Sequence, residues 1–322
     1  MTTLLSNDTA NLVPRTDWDG PSLAFDFPAF QIGIAEYVEG PTGCTVFHFP
    51  AGAACAVDVR GGSPGVFGWD YGWTNAICLT GGSLYGLEST MGVAAELFAL
   101  RGYRALWTEM PLVSGAVIFD YGPRDNTIYP DKAAGRAALK TAKPGIFPLG
   151  GRGAGCSARV GAGFDRDRGE LAGQGGAFRQ VGETKIAVFT VVNALGAIVD
   201  RDGTVVRGHR DRATGTRDHW IADLERRLVD GEQPAVPHGN TTLTVVVTNQ
   251  KIDMRALRQM GRQVHTSMAR AIQPFHTIDD GDVLFAVTTA EVENAALGTT
   301  ALGLLASELA LDAVLSSFAG RE

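Results

Sequence analysis

The stretch Pro237-His238-Gly239-Asn240-Thr241-Thr242, continued by Leu243-Thr244-Val245-Val246-Val247-Thr248, decides how the chain is read. A short polar turn runs straight into β-branched residues, which favour a strand. One reading stops there, at a loop entering a buried strand. The other makes the Asn240–Thr241 peptide bond a place where the chain cuts itself. That cut leaves pieces of 240 and, by difference from 322, 82 residues. A threonine hydroxyl is a weak nucleophile unless a base lies against it. At a chain terminus its own α-amino group, with a pKa of about 7.7–8.0, can be that base. To expose the amine, Thr241 must first attack the Asn240 carbonyl. An ester forms by N→O acyl shift, and water then opens it.

The flanks bear on the choice. Residues 207–217 are charged and lack apolar periodicity, and 218–229 suit one short amphipathic helix. Residues 231–240 are polar and carry Pro and Gly, which predicts an exposed, mobile linker just before the cut. Downstream, Asp253 is placed to cap a helix. Leu257, Met260, Val264, Met268 and Ile272 form its single apolar stripe, ended by Pro274. His276-Thr277-Ile278-Asp279-Asp280-Gly281-Asp282 is a tight acidic turn feeding a strand over 283–289. It is not an EF-hand, because Leu284-Phe285-Ala286 stands where the calcium loop would continue. A solvated turn and a set of catalytic carboxylates both fit it. Leu302, Leu305, Leu309 and Val314 mark a last helix between layers.

Upstream, Glu39-Gly40-Pro41-Thr42-Gly43 joins two short strands, 32–37 and 45–49, as a hairpin, with a separate strand at 54–59. A helix is expected over 83–101 with Ser83 as its cap, and a buried strand over 116–121. Further hairpins turn at Gly182-Glu183 and Asp200-Arg201-Asp202-Gly203. The cluster Gly150-Gly151-Arg152-Gly153-Ala154-Gly155 lacks the strand and spacing of a nucleotide loop and reads as a close-packed loop lining a cleft. Mostly antiparallel strands with helices outside make an α+β layered fold, read as one domain over 1–322.

Composition narrows the function. A net charge of −7 without a basic stripe argues against nucleic acid as a partner. Cys44, Cys55, Cys78 and Cys156 form no CxxC pair, and no Cys/His spacing suits a metal. No uninterrupted apolar run is long enough to span a membrane, and no leader is evident, so the expected address is the cytoplasm. No Gly-x-Ser-x-Gly elbow occurs, and His265, beside the helix stripe, reads as a core or surface histidine. No cofactor is called for.

Gly239-Asn240-Thr241-Thr242, Gln263-Val264-His265-Thr266-Ser267-Met268, Ile272-Gln273-Pro274-Phe275-His276-Thr277 and Asp280-Gly281-Asp282 resemble the nylon-oligomer hydrolases. These are 6-aminohexanoate-oligomer endo-hydrolases, within the self-processing β-aminopeptidases and D-aminopeptidase/esterases. Gly86-Leu87-Glu88, Tyr129-Pro130-Asp131-Lys132 and Val199-Asp200-Arg201 extend the likeness over roughly 25–318. The resemblance implies an αββα sandwich, N-terminal-nucleophile-like but differently connected. It implies cleavage between Asn240 and Thr241 and a homotetramer of cut protomers. Thr241 would be the nucleophile, Asp280 and Asp282 its activating carboxylates, and Asn193 an oxyanion or positioning group. Phe119 and Tyr85 would belong to the substrate pocket, although the nylon enzymes have tyrosine where Phe119 stands. Their catalytic lysine has Ala162 in its slot, which predicts a chain that stays largely uncut. Hydrolysis of linear 6-aminohexanoate oligomers is thus the leading expectation. A β- or D-aminopeptidase, an acyltransferase of the ornithine acetyltransferase kind and a non-catalytic scaffold are the alternatives.

Overall fold

The computed structural model describes residues 4–68, 71–163, 165–232 and 239–321. Most of the expected linker, with Pro237 and His238, lies outside the described residues.

In chain order, β1 (Gln31–Tyr37), β2 (Thr42–Val59) and β3 (Trp73–Thr80) precede α1 (Leu87–Leu100). Next come β4 (Val113–Val117), α2 (Lys132–Lys140), β5 (Gln174–Val181), β6 (Thr184–Asn193) and α3 (Trp220–Val229). After the linker stand β7 (Thr241–Gln250), α4 (Met254–Ser267), β8 (Val283–Val292) and α5 (Thr299–Ser316). The main sheet runs β5-β6-β7-β8-β2-β3-β4, ending in a two-residue strand at Val66–Phe67, with β1 also paired to β2.

One strand serves both layers of this sheet. The first part of β2 pairs with β1 and β3, and its last residues, Ala54–Val59, pair with β8. Between them, at Phe49-Pro50-Ala51-Gly52, the register with β3 shifts. Gly52 has φ +72° there, and a Cβ on it would lie 2.6 Å from the Trp73 ring. The sheet therefore turns this corner on a position that needs glycine. The two strands expected at 45–49 and 54–59 are one bent strand.

The bend lets the sheet close on itself. Phe47, Phe49, Ile77, Leu79, Phe189, Val245 and Phe285 fill the space between the two halves. On one outer face, Val188, Val246 and Leu284 meet Leu257, Met260 and Val264 of α4 and Leu302, Leu309 and Val314 of α5. On the other, Val46 and Cys78 meet Val93 and Leu97 of α1 and Ala134 and Ala138 of α2. The layers are α-β-β-α, as expected. Strand alternation decides which face each side chain serves. In β7, Leu243, Val245 and Val247 point between the sheets, and Val246 points to the helices.

Most caps and turns follow the sequence. Asp131 accepts hydrogen bonds from the Ala133 and Ala134 N–H groups, and Asp253 from Ala256 N–H, which starts α2 and α4. The expected helix over 83–101 begins instead with a 3-10 turn at Ser83–Gly86, and no side chain caps it. The strand expected over 116–121 is β4, displaced upstream. The helix α5 is apolar and long enough to cross a bilayer by composition alone, yet half of it is buried in the protein. The glycine cluster is packed inside, not opened on a cleft. Gly153 N–H donates to Glu36 Oε1 (2.7 Å), Ala154 N–H to Thr45 Oγ1 (3.1 Å), and the Arg321 guanidinium holds the Cys156 carbonyl.

Candidate active site

Three pieces of chain meet at the upper end of β7. Thr241 is its first residue, half a turn from the linker. Asn193 closes the neighbouring antiparallel strand β6 as its register partner. On the other side β8 runs parallel to β7, so the Asp280–Asp282 turn just before it lies at the same end, and Asn240 bridges Asp280. Parallel pairing of β7 with β8 is what carries the acidic turn to the threonine. Thr241 is 5% exposed, Asn193 3%, Asp280 1% and Asp282 0%.

The Asn240 carbonyl oxygen is doubly engaged. It accepts the Thr241 hydroxyl at 2.5 Å and the Gly281 N–H at 2.7 Å. The Thr241 hydroxyl and a backbone donor therefore both sit on this carbonyl oxygen, the atom that a self-cut would have to polarise. Gly281 is confined by this arrangement. A Cβ there would lie 2.7 Å from both the Thr241 hydroxyl and the Ser63 carbonyl oxygen.

The carboxylates have different surroundings. Asp282 accepts Thr242 N–H (2.7 Å) on one oxygen and His276 N–H (3.2 Å) and Nδ1 (2.9 Å) on the other. Asp280 accepts the Thr277 hydroxyl (2.7 Å), Thr277 N–H (3.0 Å) and Leu195 N–H (3.4 Å). Burial, and then the negative charge of Asp282, push Asp280 up to about 6 despite these donors. Among the described residues, no Lys or Arg pairs with Asp282 or Asp280, and the His276 ring is the side-chain partner of Asp282.

Asn193 is held on both sides of its amide. Its Nδ2 donates to the Phe119 carbonyl (3.1 Å), and its Oδ1 accepts Arg159 N–H (3.0 Å). Phe119 also borders Gly239, whose added Cβ would be 3.5 Å from the Phe119 Cβ. Its ring meets Tyr121 edge-on at 5.5 Å. Tyr85 is 69% exposed, and its ring lies 5.9 Å from that of Tyr129. Ala162 is half-buried, and its neighbours Gly161 and Gly163 donate to the Gly196 and Leu195 carbonyls. Leu195 N–H in turn reaches Asp280, so the Ala162 slot lies beside the bend after β6 that touches the carboxylate.

Two participants escaped the sequence reading. The Gly281 N–H is a backbone group and carries no residue signature. His276 was visible only as part of an acidic turn, and its bond to Asp282 could have been suspected from the six-residue spacing. His265, read as a bland histidine, is fully buried and bonds Asp58 Oδ2 through Nδ1 at 2.9 Å. Burial pushes its imidazole below the usual range, while Asp58 draws it back.

Comparison with known proteins places the chain. Residues 25–319 match the model of Peptidase family S58. A 6-aminohexanoate-oligomer endohydrolase of Agromyces sp. (strain KY5R) is 48% identical over 321 residues, covering 97% of this chain and 90% of that protein. Two solved structures share the fold at low identity. A Burkholderia sp. β-aminopeptidase has a TM-score of 0.65 at 16% identity, covering 93% of this chain and 88% of that one. An L-aminopeptidase D-Ala-esterase/amidase from Ochrobactrum anthropi, described as a variant of the Ntn hydrolase fold, has a TM-score of 0.63 at 15% identity, covering 94% and 88%. The layers, the strand-end threonine and these likenesses agree: the chain belongs to Peptidase family S58 and is an amide-bond hydrolase.

Proposed function

We propose that the chain cuts its own Asn240–Thr241 bond and then hydrolyses linear 6-aminohexanoate oligomers with the freed Thr241. The observation that carries this is the Asn240 carbonyl, held between the Thr241 hydroxyl at 2.5 Å and the Gly281 N–H at 2.7 Å. Attack by Oγ1 forms the C–O bond. The C–N bond breaks as the Thr241 nitrogen takes a proton, and water hydrolyses the ester. The new α-amine then serves as base for the same hydroxyl when an oligomer amide is attacked. An acyl-enzyme forms, the substrate amine departs, and water releases the acid. Asp280 and Asp282 hold the turn that carries the oxyanion donor, and Asp282 also aligns Thr242.

With Ala162 in place of a cation, we propose that the self-cut is slow and most molecules remain whole. The oligomer preference rests on the 48% identical relative. Assembly of cut protomers as a tetramer is part of the same proposal. It draws support from exposed apolar residues along and after α1, among them Leu84, Met91, Leu100, Leu106 and Trp107. The test is Thr241→Ala beside the unmodified chain. The variant should release no product from a 6-aminohexanoate oligomer and no 82-residue piece by mass spectrometry. Hydrolysis undiminished in the variant would overturn the proposal, and sedimentation reports the assembly.

A further inference from the structure

Behind the acidic turn lie a buried histidine, His265, and a half-buried one, His276, that the reaction as written does not use. Asp282 Oδ2 receives both the N–H and the Nδ1 of His276, at 3.2 and 2.9 Å. The His276 ring stands edge-on to His265, with centroids 4.4 Å apart and planes at 84°. His265 repeats the arrangement, with its Nδ1 2.9 Å from Asp58 Oδ2. Asp58 lies on β2, and its same Oδ2 also accepts Arg60 Nε at 2.6 Å. Phe275 stacks on His276 at 3.8 Å and closes the pocket. The Nε2 atoms of both rings are buried and have no hydrogen-bond partner among the described residues.

That last feature assigns the protons. For Nδ1 to donate to a carboxylate it must carry hydrogen. Were Nε2 also protonated, each ring would bury a donor with nothing to receive it, a costlier omission than an unused lone pair. Two imidazolium rings 4.4 Å apart would also repel each other. Both rings are therefore neutral, with the hydrogen on Nδ1. A neutral donor can orient Asp282 without supplying it with a proton. Three donors, two from His276 and one from Thr242, fix both oxygens of Asp282.

We propose that His276 is a positioning residue: as a neutral Nδ1–H tautomer, with its ring packed edge-on to His265, it holds the Asp282 carboxylate in place against the Thr242 N–H, next to Thr241. This rests on the reading of Thr241 as nucleophile. The groups facing the pair from every packed element are Asp58 and Arg60 of the β2 end, His265 of α4, and Asp280 and Asp282 of the turn.

Nitrogen-15 NMR of the full chain labelled at histidine reads the tautomers directly. At pH 7, His265 and His276 should each show hydrogen on Nδ1 and none on Nε2. An imidazolium, or an Nε2–H tautomer at His276, overturns the proposal. Kinetics on 6-aminohexanoate oligomer supply the second reading. His276→Leu should lower kcat roughly 10–100-fold, the range for outer groups that orient a working side chain. KM should hardly change, and the acid limb of the pH profile should move. His276→Asn, which keeps a donor near Nδ1, should recover most of the rate. Equal losses in both variants with an unmoved acid limb overturn the assignment. Thr241→Ala separates the two levels. If it is inactive and His276→Leu runs at full rate, only the positioning role falls. If Thr241→Ala is fully active, the nucleophile reading falls and takes this inference with it.

Discussion

Thr241 stands directly opposite Asn193 across the antiparallel pair β6–β7. The Asn193 amide spans the Phe119 carbonyl and the Arg159 N–H, so it ties the loop after β4 and the segment after the glycine cluster to the end of β6, opposite Thr241. Asn193→Ala leaves both backbone groups unpaired. It should cost about 1–3 kcal/mol of stability, read from urea midpoints. It should also slow turnover by ~10²–10³ if the amide becomes an oxyanion donor once the chain is cut. A loss of stability alone would confine Asn193 to a tie between loops.

Restoring a cation tests the Ala162 slot. The unmodified chain should run on a denaturing gel mainly as one band of 34.0 kDa. Ala162→Lys should convert most of it to pieces of 240 and 82 residues, the cut expected at Asn240–Thr241. A favourable charge near Asp280 would also lower that carboxyl's proton affinity. Complete cleavage of the unmodified chain would show that the slot needs no lysine.

Gly281 should tolerate no side chain. An alanine Cβ would sit 2.7 Å from the Thr241 hydroxyl and from the Ser63 carbonyl, so the turn must move off the scissile carbonyl. Gly281→Ala in the Ala162→Lys background should slow cleavage at least ~10²-fold, the usual loss of one oxyanion donor. Circular dichroism should stay unchanged. Cleavage at the parent rate would remove this N–H from the mechanism.

Asp280 makes stability depend on pH in a definite sense. Its folded carboxyl takes a proton near 6, against 3.8 ordinarily. Between those values the folded state binds more protons, so stability falls as pH rises from about 4 to 6 and then levels. At ~1.4 kcal/mol per unit, the contribution lost by neutral pH is on the order of 3 kcal/mol. Asp280→Asn should therefore gain on the unmodified chain as pH rises through this window, by urea denaturation at pH 4.5 and 7. Parallel stability curves would mean that Asp280 is not perturbed.

What was legible in the sequence was whatever repeats or pairs locally. The caps at Asp131 and Asp253 and the hairpins at Gly182 and Asp200 appear where their residues place them, as does the stripe from Leu257 to Met268, but its expected last member, Ile272, has left the helix for a two-residue strand. The candidate site followed from one polar turn, one acidic turn and a family likeness, and the fold brings Thr241, Asn193, Asp280 and Asp282 to one end of β7. The misreadings share a cause. Pro50 and Gly52 look like a strand break, but tertiary closure uses them to bend β2 without ending it. The Asp58–His265 pair joins positions 207 residues apart, and no local pattern carries such a contact. Gly281 acts through its backbone, which residue type does not show.

The parallel seating of β7 beside β8, deep inside the sheet, has a last consequence. The segment after Thr241 contributes β7, α4, β8 and α5, and β7 and β8 lie between β6 and β2, both from the earlier part of the chain. A cut at Asn240–Thr241 therefore creates two new ends without creating two separable bodies. The molecule would behave as a split protein whose fragments meet along the β6–β7 and β8–β2 pairings, and neither fragment could keep the sheet continuous without the other.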